Sequence, residues 1–113
     1  MYFEGQGDSI GSVEESLLLQ IAHDSISNGF LTKKPLEVDE HSFPVVLRRA
    51  KACFVTLTLN GELRGCIGTT MPEQSLIEAV AENAYAAAFR DPRFPPLKRE
   101  EFAHLEITIS ILT

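Results

Sequence analysis

Apolar residues recur at three- and four-residue spacing through Leu17, Leu18, Ile21, Ala22 and Ile26, with Ser25 on the same stripe. That periodicity predicts a helix packed by one face. Ser12-Val13-Glu14-Glu15 reads as a capping box at its start, and Gly29 is placed to end it in the left-handed conformation. Residues 31–41 are polar and irregular, and Pro44 interrupts any helix there, so this stretch reads as a connecting segment. From Ala52 to Leu59 the chain turns β-branched, aromatic and apolar without a breaker, which predicts a strand. Asn60-Gly61 then supplies a type I′ turn, returning the chain through Glu62 to Gly68 as a hairpin. With a two-residue loop, Leu59 faces Glu62, Leu57 faces Arg64, Thr56 faces Gly65 and Val55 faces Cys66. Arg64 and Cys66 then share a face with Leu57, Val55 and Cys53.

After a loop through Thr69, Thr70, Met71 and Pro72, a second capping box, Ser75-Leu76-Ile77-Glu78, opens the next helix. Its alanines at 84, 86, 87 and 88 leave little bulk, so it is expected to approach its neighbour closely. Asp91-Pro92 ends it. Residues 93–97 are a stiff extended connection, Lys98 to Phe102 a short helical turn, and Glu106 to Leu112 a strand with Ile107, Ile109 and Ile111 inward. The order helix, hairpin, helix, strand predicts an α+β fold with a largely antiparallel sheet packed with helices. The sequence stops directly after an apolar strand, which suggests missing sheet partners and favours an edge-paired or swapped dimer through that strand. Residues 1–11 read as a disordered leader or tag remnant, and 12–113 as a single domain.

Composition narrows the class. The 113 residues are 44% hydrophobic, enough for one core. Ten basic against sixteen acidic side chains give a net charge of -6, which argues against a nucleic-acid partner. No apolar run approaches the roughly 20 residues of a membrane span, and the N-terminus lacks the features of a signal peptide. The two cysteines, Cys53 and Cys66, form neither a disulfide framework nor a metal motif, so a reducing, cytoplasmic setting is the default. His23, His41 and His104 stand alone, without ligand spacing, and neither a metal nor a cofactor is called for.

The most informative stretch is Glu62-Leu63-Arg64-Gly65-Cys66-Ile67-Gly68. Two glycines in a strand mark a bulge, a bend, or the approach of a ligand or another backbone. Arg64, two residues from Cys66, would lower the pKa of the thiol and grip a carboxylate or phosphate; against this stands the ordinary burial of free cysteine as a small hydrophobe. Cys53 reads as a core residue. A Cys66 dyad with His41 or His104 is a weaker reading, and the G-x-x-G of Gly65 to Gly68 lacks the context of an RNA clamp or a dinucleotide fingerprint. In Arg90-Asp91-Pro92-Arg93-Phe94-Pro95-Pro96, Asp91 and Arg93 fix the turn and Phe94 plugs the core. Asn83, an amide among alanines, needs a partner if buried. Glu106 is either solvated or an ion-pair partner for Arg64 or Arg93.

Leu63-Arg64-Gly65-Cys66-Ile67-Gly68, with Phe54-Val55-Thr56-Leu57 before it and Ala81-Glu82-Asn83-Ala84 through Ala87 to Leu97 after it, resembles the AmmeMemoRadiSam system protein A family. This is the family of the protein encoded in the Alport syndrome, midface hypoplasia and elliptocytosis chromosomal region. The resemblance implies an α+β fold with a cleft between two subdomains at this motif. It implies Memo-type and radical SAM proteins as partners, and no defined reaction. Carried over by position, it nominates Arg64, Gly65, Cys66 and Gly68, with Asn83, Asp91 and Arg93 in support. Family members continue past the last strand here, so the chain corresponds to the N-terminal portion of the family domain. Two functions follow as expectations. One is a cysteine-dependent enzyme or modification-system component, with Cys66 as nucleophile or redox thiol and Arg64 as anion binder. The other is a non-enzymatic protein-binding module that docks partners on the hairpin and the Phe94-Pro95-Pro96 segment.

Overall fold

The computed structural model describes residues 2–5, 10–69 and 72–112. Strand β1 (Tyr2–Gly5) is followed by helix α1 (Ser12–Thr32), a 3-10 turn (Glu40–Ser42) and the one-turn helix α2 (Val45–Arg48). The hairpin β2 (Cys53–Leu59) and β3 (Glu62–Gly68) comes next, then α3 (Leu76–Phe89), the single turn α4 (Arg99–Phe102) and β4 (Leu105–Ile111). The sheet order is β1-β4-β2-β3: β2 runs antiparallel to both β3 and β4, and β1 is parallel to β4. This is the α+β layer with a largely antiparallel sheet that the pattern predicts.

Both long helices cover one face of the sheet. Val55, Leu57, Ile107 and Ile109 rise from the strands to meet Leu76, Ile77 and Val80 of α3, while Leu18 and Ile26 of α1 close the core. Each such side chain, fully withdrawn from water, contributes about 1.5–3 kcal/mol. Ser25 is buried on the same stripe without cost because its hydroxyl donates to the Ala81 carbonyl at 2.7 Å and accepts from the Leu36 amide at 3.0 Å. That one hydroxyl ties α1, α3 and the connecting segment together.

Several expectations change. Gly11, not Ser12, is the cap residue of α1, its amide donating to Glu14 Oε1 at 2.8 Å. The helix runs past Gly29 to Thr32, and Lys33 takes the left-handed conformation (φ 60). Pro44 starts the α2 turn as well as interrupting the connecting segment, consistent with its fixed φ at a helix entrance. Residues 2–5 form a strand, where the composition suggested an unstructured leader; residues 6–9, and Thr70 and Met71 of the expected loop, lie outside the described residues. Because β1 pairs with Thr108 to Ile111, the C-terminal strand is flanked on both sides and is not the exposed edge that the pattern suggested. The free edge on the hairpin side is β3.

The hairpin turn is as expected, with Asn60 (φ 54) and Gly61 (φ 81) both left-handed. Its register is not. Leu59 pairs with Glu62 and Thr58 with Leu63, but the ladder then shifts, so that Leu57 faces Gly65, Thr56 faces Cys66 and Val55 faces Ile67. Arg64 is the extra residue of a β-bulge. The shift has a steric reason: a Cβ on Gly65 would run into the backbone carbonyl of Ala87, so Gly65 must be the residue beneath α3. Gly65→Ala is therefore expected to cost about 2–3 kcal/mol, read as a lower urea midpoint at unchanged slope; an unchanged midpoint would show that α3 does not seat on Gly65.

Candidate functional site

The bulge sends Arg64 and Cys66 to different surroundings. Arg64 is buried and bidentate on Glu101, with Nε to Oε2 at 2.9 Å and Nη2 to Oε1 at 3.0 Å, and Nη2 also donates to the Pro95 carbonyl at 2.9 Å. Its Nη1 is buried with no partner among the described residues. Glu101 additionally accepts from the Lys98 amide at 2.9 Å. The Arg64 hydrogen bonds, followed by that backbone amide, outweigh burial and hold the Glu101 carboxyl below its ordinary range. The guanidinium expected beside the thiol is thus committed to joining the hairpin to α4.

Cys66 lies on the sheet face away from the helices, opposite Thr56, which in turn faces Thr108 of β4. Its Sγ is 3.2 Å from Thr56 Oγ1 and the residue is half-buried. The backbone of Cys66 is held from outside the sheet: its N–H donates to Asp91 Oδ2 at 3.0 Å, and its carbonyl accepts from Arg93 Nη2 at 3.4 Å. Asp91 and Arg93 are themselves paired, Nε to Oδ1 at 3.0 Å and Nη2 to Oδ2 at 2.7 Å, and the Arg93 amide closes the turn on Oδ1 at 3.1 Å. Carboxylate and guanidinium thereby occupy the outward donor and acceptor of Cys66, as a neighbouring strand would. The Asp91 carboxyl lies well below the usual carboxylate range, chiefly through Arg93 and then through the Cys66 amide. Arg93 is raised in turn by Asp91, with a smaller contribution from the charge of Cys66. The Asp91 side chain is 2% exposed and that of Arg93 56%, so the pair presents its cation to solvent.

The other nominated residues have packing partners. Gly68 makes room for the Phe54 ring and the Cys53 carbonyl. Asn83 is buried and donates to the Cys53 carbonyl at 3.1 Å and to Cys53 Sγ at 3.4 Å, tying α3 to the start of β2. Burial pushes the Cys53 thiol up to about 11, against the lowering effect of Asn83. Phe94 is half-buried between two guanidinium groups, Arg64 at 5.8 Å and Arg93 at 5.5 Å from its centroid, and is no core plug. Glu106 is exposed; the arginine partners are Glu101 and Asp91. Thr56 and Glu101 carried no sequence signal that marked them, since one looks like an ordinary strand threonine and the other like a residue of the α4 cap.

Among the described residues, no group of three or more His, Cys, Asp and Glu side chains could hold a metal, and no helix is long and apolar enough to cross a membrane.

Fold and site together define an α+β domain with a half-buried cysteine on a bulged, externally clamped edge strand. The chain belongs to the AMMECR1 family, whose model matches residues 19–113. It is 41% identical over 100 residues to a protein of Methanothermobacter thermautotrophicus, covering 88% of this chain and 52% of that one. It is 44% identical over 100 residues to a protein of Sulfolobus acidocaldarius, covering 85% and 43%. The crystal structure of an uncharacterised protein from Pyrococcus horikoshii superposes with a TM-score of 0.78 at 36% identity, over 86% of this chain and 50% of that one. The chain spans about half the length of the relatives it matches.

Arg64→Ala is expected to cost about 2 kcal/mol, below the 3–5 kcal/mol of a fully buried pair because Glu101 retains access to water. Both Asp91 and Glu101 have folded pKa values below their unfolded ones. Their contribution to stability is complete above pH of about 4 and is lost as pH falls through the folded values. Stability measured by urea titration should fall below that pH, and Asp91→Asn should flatten the fall; an unaltered slope would remove Asp91 from the account.

Proposed function

We propose that the chain supplies a cysteine site in which Cys66 acts as nucleophile or redox thiol on the open face of the β2–β3 hairpin. The carrying observation is that Cys66 alone combines a half-buried thiol, a hydroxyl neighbour at 3.2 Å and a backbone fixed on both outward groups. Thr56 is the hydrogen-bond partner of the sulfur. Arg93, whose Nη1 makes no hydrogen bond among the described residues, takes the anion-binding role that the sequence suggested for Arg64. Asp91 positions Cys66 and Arg93 together. Arg64, Gly65, Gly68 and Asn83 act as positioning residues, holding the hairpin against α3 and α4. The Memo-type and radical SAM proteins implied by the family resemblance are the partners with which such a site would work, as one component of a modification system.

The test is the rate of alkylation of Cys66 by iodoacetamide at pH 7, with Cys53→Ser as background. A reactive site should label at least about tenfold faster than a free cysteine peptide, and Arg93→Gln should remove most of that advantage. Labelling no faster than the peptide would place Cys66 among packing cysteines. Retained binding of a Memo-type partner by Cys66→Ser would then favour the docking module. Substitution at Gly65 does not separate the two readings, because added bulk there acts on α3.

A further inference from the structure

A cleft of about 270 Å³ lies where the C-terminal turns of α1 and α3 meet the segment after α3. Phe30, Tyr85, Phe89, Pro96 and Leu97 form its walls, and Gly29 and Lys33 complete the lining. It shares no residue with the Cys66 site. The rings brace one another, Phe30 edge-on to Phe89 and Tyr85 tilted against it, each pair with centroids 5.1 Å apart. Gly29 allows this: a Cβ there would come within 2.6 Å of Phe89 Cε2 and 2.8 Å of Tyr85 Cδ1. The apolar body of the cleft is therefore preformed, and its volume lies just below the usual range for small-molecule sites, as suits a small ligand.

Its charge is unlike that of the chain as a whole. No carboxylate lines it, and three cations attach to its walls in a protein of net charge -6. These are Lys33 itself, Arg90 at 5.3 Å from the Tyr85 centroid and Arg99 at 4.8 Å from that of Phe30. None of the three has a carboxylate partner within 4 Å among the described residues. The ends of α1 and α3 account for positive charge at Lys33 and Arg90, but not for Arg99, which opens α4. Lys33 is the left-handed cap that ends α1, its amide donating to the Gly29 carbonyl at 3.0 Å, a position that usually takes glycine. The Tyr85 hydroxyl donates to the Lys33 carbonyl at 2.7 Å and fixes that conformation. The cleft is thus lined by a lysine at a position where this helix ending usually takes glycine.

We infer that this cleft binds a small molecule with a flat apolar body and one anionic group, of the aryl-alkyl carboxylate class. The rings take the body, and Lys33 with Arg90 takes the carboxylate. The test is a titration of the ¹⁵N-labelled chain with 3-phenylpropionate, alongside 3-phenylpropan-1-ol and 3-phenylpropylamine. The acid should give saturable shifts at the amides of Gly29, Lys33, Phe89 and Leu97, at about tenfold lower concentration than the alcohol. Lys33→Gln and Arg90→Gln, both at exposed positions, should each weaken acid binding about threefold and leave the alcohol unchanged. Equal binding of acid and alcohol, preference for the amine, or no saturable shift at these amides would overturn the inference.

Discussion

The guanidinium of Arg64, held by both oxygens of Glu101 and facing the Pro95 carbonyl, ties the hairpin to the segment that follows α3. The site depends on that tie. Arg64 reaches Glu101 because it is the extra residue of a bulge, and the bulge exists because Gly65 must lie beneath the Ala87 carbonyl. The same one-residue shift turns Cys66 to the outer face opposite Thr56. There the Asp91–Arg93 pair, carried on the turn that ends α3, can clamp its backbone. Close helix packing, the largely buried Arg64–Glu101 pair and the placement of Cys66 on the outer face are thus consequences of one local geometry.

The two cysteines show how strongly surroundings separate residues of one type. Cys53 sits in the core beneath Asn83, and burial raises its thiol well above the usual range. Cys66 lies on the outer face of the sheet, next to the Thr56 hydroxyl, with the Arg93 guanidinium on its carbonyl. The first is withdrawn from solvent and the second is half-buried.

Periodicity made most of the fold legible: α1, the hairpin turn, α3 and β4 all follow from apolar spacing, turn chemistry and the Ser75 cap. The register of β3 was not legible, because a bulge is a tertiary event. Nothing in Glu62 to Gly68 reveals that the Ala87 backbone will approach Gly65, and a slip of one residue reverses every side chain beyond it. For the same reason sequence spacing puts Arg64 and Cys66 on one face, whereas their partners, Glu101 and Thr56, lie far away in sequence or on the other strand. That Asp91 and Arg93 hold the turn after α3 is visible locally; their pairing with each other and the reach of Asp91 to the Cys66 amide are not. The end of α1 was missed because Lys33, unlike Gly29, gives no sign that it will accept a left-handed backbone.

In the proposed site Arg93, and not Arg64, is the cation that acts on Cys66. The most direct measurement compares Cys66 alkylation across pH in Arg93→Gln with that in the paired substitution Arg64→Gln, Glu101→Gln, both in a Cys53→Ser background. The account predicts that the rate profile changes in the first and stays near that of the parent in the second, once both are confirmed folded. A profile altered only by the Arg64 and Glu101 substitutions would contradict it.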